Sequence, residues 1–524
     1  MISLSIFANL PQVNAADLVA IPQSIHLPTP LSSIQTHSSE LSFKSFETKI
    51  SNIFKPKKAQ PRLTATVFSG SCGDGVTYTF TASDGKLIIS GAGTMANYGE
   101  VSSPWYSYKN SIKSVVIEDG VTDIGNGAFW YCEKLKSVTL PESITTIKQG
   151  AFGLCPQLAS IKIPDKVTSI EKNAFTHCEE LASISLPSGI TKIEATTFYS
   201  CRKLNSITIP DSVTSIGASA FSGCTGLTEV TIPNSVTFIG SYAFQSCTAL
   251  TEVTIPNSIT SIGDGIFSEC TGLTKVTIPK SVTSIGKNAF YFCTSLVSAT
   301  IPAAVTSIGE KAFYNCKSLV SINVDYNNAT FKSESGVLFD KAAATLLRYP
   351  GGKSGSYSVP NSVVAIDDYA FQGCSDLTDV YISDSVIFIG FGAFQNCSGL
   401  TKVNISNSVT SIESYTFAYC DNLAAVTIPD SVIEVGHQAF YRCSSLTKVT
   451  IPYSVTSIET YAFYMCNGLT SVTYKGTSDP GASSSNVFGE TKVNSVNVPA
   501  NYKNSTFCGL PVNKITDIFT PLID

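Results

Sequence analysis

Charge is scarce in this chain. Asp, Glu, Lys and Arg make up 14% of its 524 residues and leave a formal net charge of -5. Lys55, Lys57 and Lys58 form a short basic run that reads as a solvated linker, so the electrostatic footprint of a binder of nucleic acid or anionic membrane is missing. Histidine is scarcer still. His26, His37, His177 and His437 complete the set, and their unrelated positions cannot bring a nucleophile, a base and an orienting group within the about 3 Å that catalysis needs. No catalytic residue is therefore named. Cys-x-x-Cys pairs are absent as well, which removes the usual zinc knuckle, and neither a metal nor a cofactor is expected. Gly91 and Gly93 lack a third glycine in register and a following Lys-Ser or Lys-Thr, which excludes a phosphate loop. No apolar run reaches the about 18 residues of a transmembrane span.

What the chain has in abundance is itself. LTEVTIPNSVTFIGSYAFQSCTA, from Leu227 to Ala249, is followed at Leu250 by LTEVTIPNSITSIGDGIFSECTG, a period of 23 residues. A fixed period of about 20 to 50 residues marks a solenoid, propeller or array. Within one copy Leu227, Val230 and Ile232 point one way while Glu229 and Thr231 point the other, the alternation of a half-buried strand that Pro233 closes. Val236 and Ile239 form a second short extended piece, and Ala243, Phe244 and Cys247 have the spacing of one inward-facing helical turn. One such coil has an apolar side with nothing to cover it. Stacking the next coil on it buries Leu on Leu, Ile on Ile, Phe on Phe and Cys on Cys, so stability spreads along the array. Hydrophobic residues at 43% fit a core that runs the length of the chain.

The 16 cysteines follow the same step. From Cys132 to Cys316 they lie 23 residues apart, and Cys374, Cys397, Cys420, Cys443 and Cys466 resume it. One cysteine per coil places successive sulfurs roughly 5 Å apart with parallel Cβ vectors, which suits a packed ladder of free thiols and disfavours disulfides. Cys72 and Cys508 stand outside the ladder near opposite ends, too far apart to bond to each other.

In chain order, residues 1–65 read as a leader plus a Ser/Pro-rich linker. MISLSIFANLPQVNA offers a short apolar run with Val13 and Ala15 at signal-peptidase positions, but lacks a positive start and is broken by Pro11, so a cleaved and an uncleaved N-terminus stay equally open. Residues 66–111 read as an N-terminal β cap, with a hairpin through Asp84-Gly85 and with Trp105, Tyr106 and Tyr108 available to cover the first coil. Coils run over 112–318. An irregular coil at 319–362, where 58 residues separate Cys316 from Cys374, is expected to carry a projecting hairpin built from GVLFD and TLLRYP. Coils resume over 363–472, and 473–524 close the array as a C-terminal cap and tail.

LTEVTIPNSVTSIG-type coils ending in AFxxC resemble the Treponema pallidum-type leucine-rich repeat of BspA-like surface proteins, found in oral and gut bacteria and expanded in trichomonad and amoebic protists. The resemblance covers roughly residues 70 to 510 and includes ISGAGTM followed by SPWY, FKSESGVLFD at Phe331 to Asp340, and VPANYKNSTFCG. It implies a leucine-rich-repeat solenoid: a curved right-handed coil, mainly β, with a parallel sheet on the concave face and short second strands and short helical turns on the other side. It also implies a non-enzymatic protein, displayed or secreted, that acts in adhesion to host, matrix or cell-surface macromolecules. An intracellular interaction scaffold in the cytoplasm is the alternative, favoured by the weak leader and the reduced thiols.

Two surfaces are candidates for a protein or glycan partner. Outward strand positions form rows, among them Thr208, Glu229, Thr231, Glu252, Thr254, Lys275 and Thr277, a broad and weakly charged surface that equally suits a plain solvated sheet face. Glu229 and Glu252 occupy equivalent positions on adjacent coils with Lys275 next in the row, the pattern of solvated charges. The second surface is aromatic: Trp130, Tyr131, Tyr199, Tyr242, Tyr291, Tyr314, Tyr441 and Tyr464 flank the AFxxC turn, with Tyr369, Tyr415 and Tyr461 at the position of Tyr242 in later coils. Such side chains dominate binding hot spots, and they also suit roofing the gaps between coils. Asn328, Asn404 and Asn504 begin Asn-x-Ser/Thr triplets at candidate surface positions, whereas Asn396 precedes a core cysteine.

Overall fold

A computed structural model describes residues 66–99 and 102–516. The chain divides into two units, 1–61 and 62–524, and the described residues all belong to the second. The leader reading, with Val13 and Ala15, and the linker to residue 65 lie outside the described residues.

The second unit is a β-solenoid. Its first side carries strands such as Glu229–Thr231, where Val230 is buried between exposed neighbours, paired in parallel with Ser206–Thr208 so that Ser206 faces Glu229 and Thr208 faces Thr231. The step across that pair is one repeat, 23 residues. The second side carries two-residue strands, Ser215–Ile216 beside Phe238–Ile239, also parallel. Register is fixed because a slip by one residue would turn Val230 or Ile239 into solvent.

The third side departs from the expected helical turn. In a helix every N–H would reach the carbonyl four residues back. Here Tyr242, Phe244 and Ser246 instead donate to the carbonyls of Asp264, Ile266 and Ser268 on the next coil, at 2.9, 3.0 and 2.8 Å. Ala243, Gln245 and Cys247 donate within the coil, to Gly240, Tyr242 and Phe244. Alternate residues thus bond forward and inward, which requires left-handed backbone at Tyr242 and Ser246, with φ of 59° and 55°. Apolar spacing is the same in both arrangements, so the sequence reads as helix where neighbouring coils supply a better hydrogen-bond partner. Among the described residues helix is confined to one 3-10 segment, Tyr106–Ser111. No helix there is long and apolar enough to cross a membrane.

Inside, the coils stack like on like. Phe129, Phe152, Phe175 and Phe198 succeed one another at ring spacings of 5.3, 5.6 and 5.7 Å with nearly parallel planes, and the ladder continues to Phe313. Each ladder cysteine is buried and free. The thiol of Cys247 donates to the carbonyl of Phe221 on the preceding coil at 3.3 Å, as Cys224 does to Phe198 at 3.1 Å. A small apolar residue with one weak donor fits a site next to a buried carbonyl with a spare lone pair. Burial pushes the Cys224 and Cys270 thiols up to about 12.

Both ends of the stack are covered. Val67–Gly73, Val76–Thr81 and Lys86–Gly91 form antiparallel strands, and the last pairs in parallel with Ser114–Ile117. Trp105 is fully buried, stacks on Phe129 at 5.6 Å and donates its indole N–H to the Ala128 carbonyl at 2.8 Å. At the other end Val496–Pro499 and Leu510–Ile515 extend the first-side sheet in parallel, and Tyr474, Tyr502 and Phe507 are buried over the last coil.

The irregular stretch contains three antiparallel strands, Phe331–Glu334, Val337–Asp340 and Thr345–Arg348. It does not project. Thr345–Arg348 joins Ala365–Ile366 in parallel, and Val337, Leu338 and Phe339 are all buried, because three consecutive apolar residues gain more inside the stack than a free hairpin allows. Leu338 packs with the N-terminal core, and Val337 and Phe339 with the C-terminal one. Arg348, also buried, donates to the carbonyls of Phe313 at 3.3 Å and Gln372 at 2.9 Å, and to that of Tyr369. It thereby ties the coil before the break to the coil after it. Asn328 is buried too: its amide donates to Pro302 and Val305 and its oxygen accepts from Thr330 and Phe331, so this triplet is a structural corner and not a surface acceptor.

Candidate partner-binding surface

The strand-side positions lie together and open to solvent. Thr208, Glu229, Thr231, Glu252, Thr254, Lys275 and Thr277 are all exposed, with Glu252 opposite Lys275 and Thr254 opposite Thr277. One position further back, Thr228 and Thr274 send their hydroxyls to the carbonyls of Asn205 and Thr251 on the preceding coil. Part of the threonine content of this side is thus bound up in holding coils together, while the Thr231 and Thr277 row faces outward.

The aromatic positions do not form one patch. Tyr291 and Tyr314 stack at 4.9 Å and Tyr441 and Tyr464 at 5.9 Å, whereas Tyr199 meets His177 at 5.3 Å on its own. Trp130 and Tyr131 touch edge-on at 6.0 Å, and Lys109 lies over the Tyr131 ring at 5.4 Å. Burial pushes the Tyr291 hydroxyl up to about 12, with Tyr314 and Glu269 adding to it; Tyr199 and Tyr314 are raised for the same first reason. These hydroxyls stay protonated across the physiological range. His177 is shifted the other way, below its ordinary value, because burial disfavours its charged form.

Several aromatics sit on a glycine of the next coil. A Cβ at Gly265 would lie 2.2 Å from the Tyr242 ring, one at Gly153 would lie 2.0 Å from Trp130, and one at Gly489 would lie 2.7 Å from Tyr464. The roofing role therefore accounts for much of this row. Tyr242 still leaves 38% of its surface in water. A further strip is not apparent in any single copy: Tyr369, Phe391, Tyr415, His437 and Tyr461 form a chain of ring contacts over five coils at 5.4, 5.2, 5.6 and 5.9 Å. The two positions ahead of the Ala-Phe pair, Thr416-Phe417 in one copy, alternate along this strip, a signal visible only when adjacent copies are compared at an offset.

The family model for the BspA type leucine-rich repeat region, a unit of 6 copies, matches residues 100–228, 214–336, 353–470 and 389–512. The chain belongs to the BspA-type leucine-rich-repeat family. Among solved structures it is similar to a leucine-rich cell surface protein of Faecalibacterium prausnitzii, with 29% identity, a TM-score of 0.55, and coverage of 78% of this chain and 95% of that one. A leucine-rich-repeat protein of T. pallidum shares 31% identity over 42% of this chain and 86% of its own, at a TM-score of 0.28. The pneumococcal vaccine antigen PcpA matches at 18% identity and a TM-score of 0.34, covering 85% of this chain and 90% of its own. No curated protein matches.

Proposed function

We propose that this chain is a non-enzymatic cell-surface or secreted protein that binds a protein or glycan of a host, a matrix or another cell. The observation that carries the reading is the exposed strand row: outward positions one coil apart, in strict register, with no demand from the core on their identity. A broad, weakly charged face of this kind suits an extended partner more than a small molecule, which calls for a concave pocket. The description of the similar F. prausnitzii protein as a cell surface protein supports display. In this reading the coil is right-handed, the strand row is its concave face, and residues 66–111 and 473–524 are caps flanking coils at 112–318 and 363–472. Free thiols do not favour the cytoplasm, since burial keeps the ladder protonated and away from oxidants.

The test is adhesion of beads coated with the full chain to matrix proteins, glycans and cells. Retention on one class, abolished by exchanging the charges at Glu252 and Lys275 and leaving the melting temperature unchanged, is expected. Retention that survives that exchange, together with replacement of Thr231, Thr254 and Thr277 by Asn, removes the strand row from the account.

A further inference from the structure

The second side of the solenoid carries a different outer row in its two blocks. From Thr122 to Thr306 every 23rd residue at the entrance to the short strand is threonine. Its hydroxyl closes onto the carbonyl of the previous threonine, as Thr214 does to Thr191 at 3.2 Å and Thr283 to Thr260 at 3.1 Å. Beyond the irregular stretch the same position reads Val364, Ile387, Thr410, Ile433 and Thr456. The backbone bonds persist, Ile387 to Val364 at 2.9 Å and Ile433 to Thr410 at 2.8 Å. Yet Ile387 is 57% exposed and Ile433 51%; Phe388 beside them, 46% exposed, has a counterpart in the first block in Phe238 at 59%, so the aliphatic pair is what sets the second block apart. The unbroken threonine row of the first block shows that threonine meets the needs of the fold here, so the aliphatic side chains answer to something outside it.

Charge divides the same way. On the stretch from Pro360 to Gln372 and its four later copies, ending at Tyr464, there is no Lys or Arg. The N-terminal copies of this stretch include Lys148, Lys172, Lys192, Lys280, Lys287 and Lys311. Glu413, Glu434 and Glu459 stand on successive coils of the C-terminal block, with the strand that holds Glu434 paired on both sides. Burial, with Glu459 and Glu413 adjacent, holds the Glu434 carboxyl above its ordinary range. A cation placed there relieves that repulsion.

We propose that this corner of the C-terminal block docks a polypeptide segment in which lysine or arginine side chains alternate with aliphatic or aromatic ones. Ile433 and Glu434 are neighbours on one coil, Ile387 and Phe388 lie two coils before it, and Glu413 and Glu459 lie on the coils to either side; with coils at the spacing of parallel strands, about 4.8 Å, an extended segment running along the stack meets both kinds of side chain. Apolar burial supplies affinity, and the carboxylates choose a cationic partner over a neutral one. The inference rests on the binding reading above and adds the face and the partner chemistry.

The probe is a 16-residue peptide of alternating Lys and Leu, titrated against the full chain, with alternating Lys-Ser and Glu-Leu peptides as controls. Ile387→Thr, Phe388→Ser and Ile433→Thr together rebuild the outer row of the N-terminal block, so the fold is retained, and Glu413→Gln with Glu434→Gln removes charge. Each set is expected to weaken Lys-Leu binding by about tenfold or more, while Asp165→Asn with Asp211→Asn, which removes the same charge from exposed turns of the N-terminal block, leaves it unchanged. Equal binding of Lys-Ser and Lys-Leu, or unchanged binding by the apolar variant, overturns the proposal. So does self-association in sedimentation that the apolar variant abolishes, which makes a second copy the occupant. Bead adhesion that depends on the strand row and ignores the apolar variant sinks this inference alone; peptide binding without bead adhesion sinks the strand-side reading alone.

Discussion

The coils before the break and those after it are built on one interior and two exteriors. Phe221 lies 5.3 Å from Phe244 in the first block, and Phe417 lies 5.4 Å from Phe440 in the second. Cys224 and Cys443 donate to the carbonyls of Phe198 and Phe417 in the same way. Outside, the unbroken threonine row of one block takes in Val364, Ile387 and Ile433 on the other, and the lysines that accompany the carboxylates of the first block are missing from the matching stretch of the second. The core fixes only what faces inward, and the exterior is free to diverge block by block. Between them the phenylalanine ladder is interrupted after Phe313 and resumes at Tyr349, which stacks on Phe371 at 5.0 Å, with Arg348 bridging the gap.

The largest effects should show the interiors to be equivalent. Phe221→Ala and Phe440→Ala each remove a fully buried ring and are expected to cost about 3–5 kcal/mol, alike within error in urea titrations. A much smaller loss in one block would break the equivalence. Arg348→Met comes next. It strips charged donors from three buried carbonyls at about 2–4 kcal/mol, and because coils are stabilised by their neighbours the unfolding curve should separate into two transitions. A single sharp transition would mean that the blocks are coupled by something other than this arginine.

The repeat makes most of the interior legible: leucine, phenylalanine and cysteine recur in phase, and the period alone is enough to turn each of them inward. The third side reads as helix because Ala243, Phe244 and Cys247 have helical spacing and because its left-handed positions are held by Tyr242 and Ser246 instead of glycine. Arg348 is hidden inside TLLRYP, which has the pattern of an ordinary strand. The aromatic row is visible, but its glycine partners lie one repeat away, so packing and binding cannot be told apart from one copy. On the strand side the register places every outward residue, because period two and period 23 together leave no freedom.

Smaller effects sharpen the comparison. Gln438→Gly relieves a left-handed position with φ of 53° and should stabilise by about 0.5–1 kcal/mol, the strain relief less the entropy of a more flexible unfolded chain. Ser219→Gly, at φ 53° in the other block, should match it. The smallest effect separates the blocks again. His177 has a lowered pKa through burial, so the unfolded chain takes up its proton first, and stability should fall as pH drops below about 6.5. His177→Gln should remove that part of the slope, measured as the urea midpoint at pH values of about 8, 6.5 and 5; a slope identical in both proteins would contradict the assignment.

Display at the surface is what the functional account depends on. Biotinylating intact source cells with a membrane-impermeant reagent, then recovering this chain, tests it most directly. The account predicts labelling at exposed strand-side lysines such as Lys275, with a cytoplasmic control untouched; a chain labelled only after the cells are broken would contradict it and place the partners inside the cell.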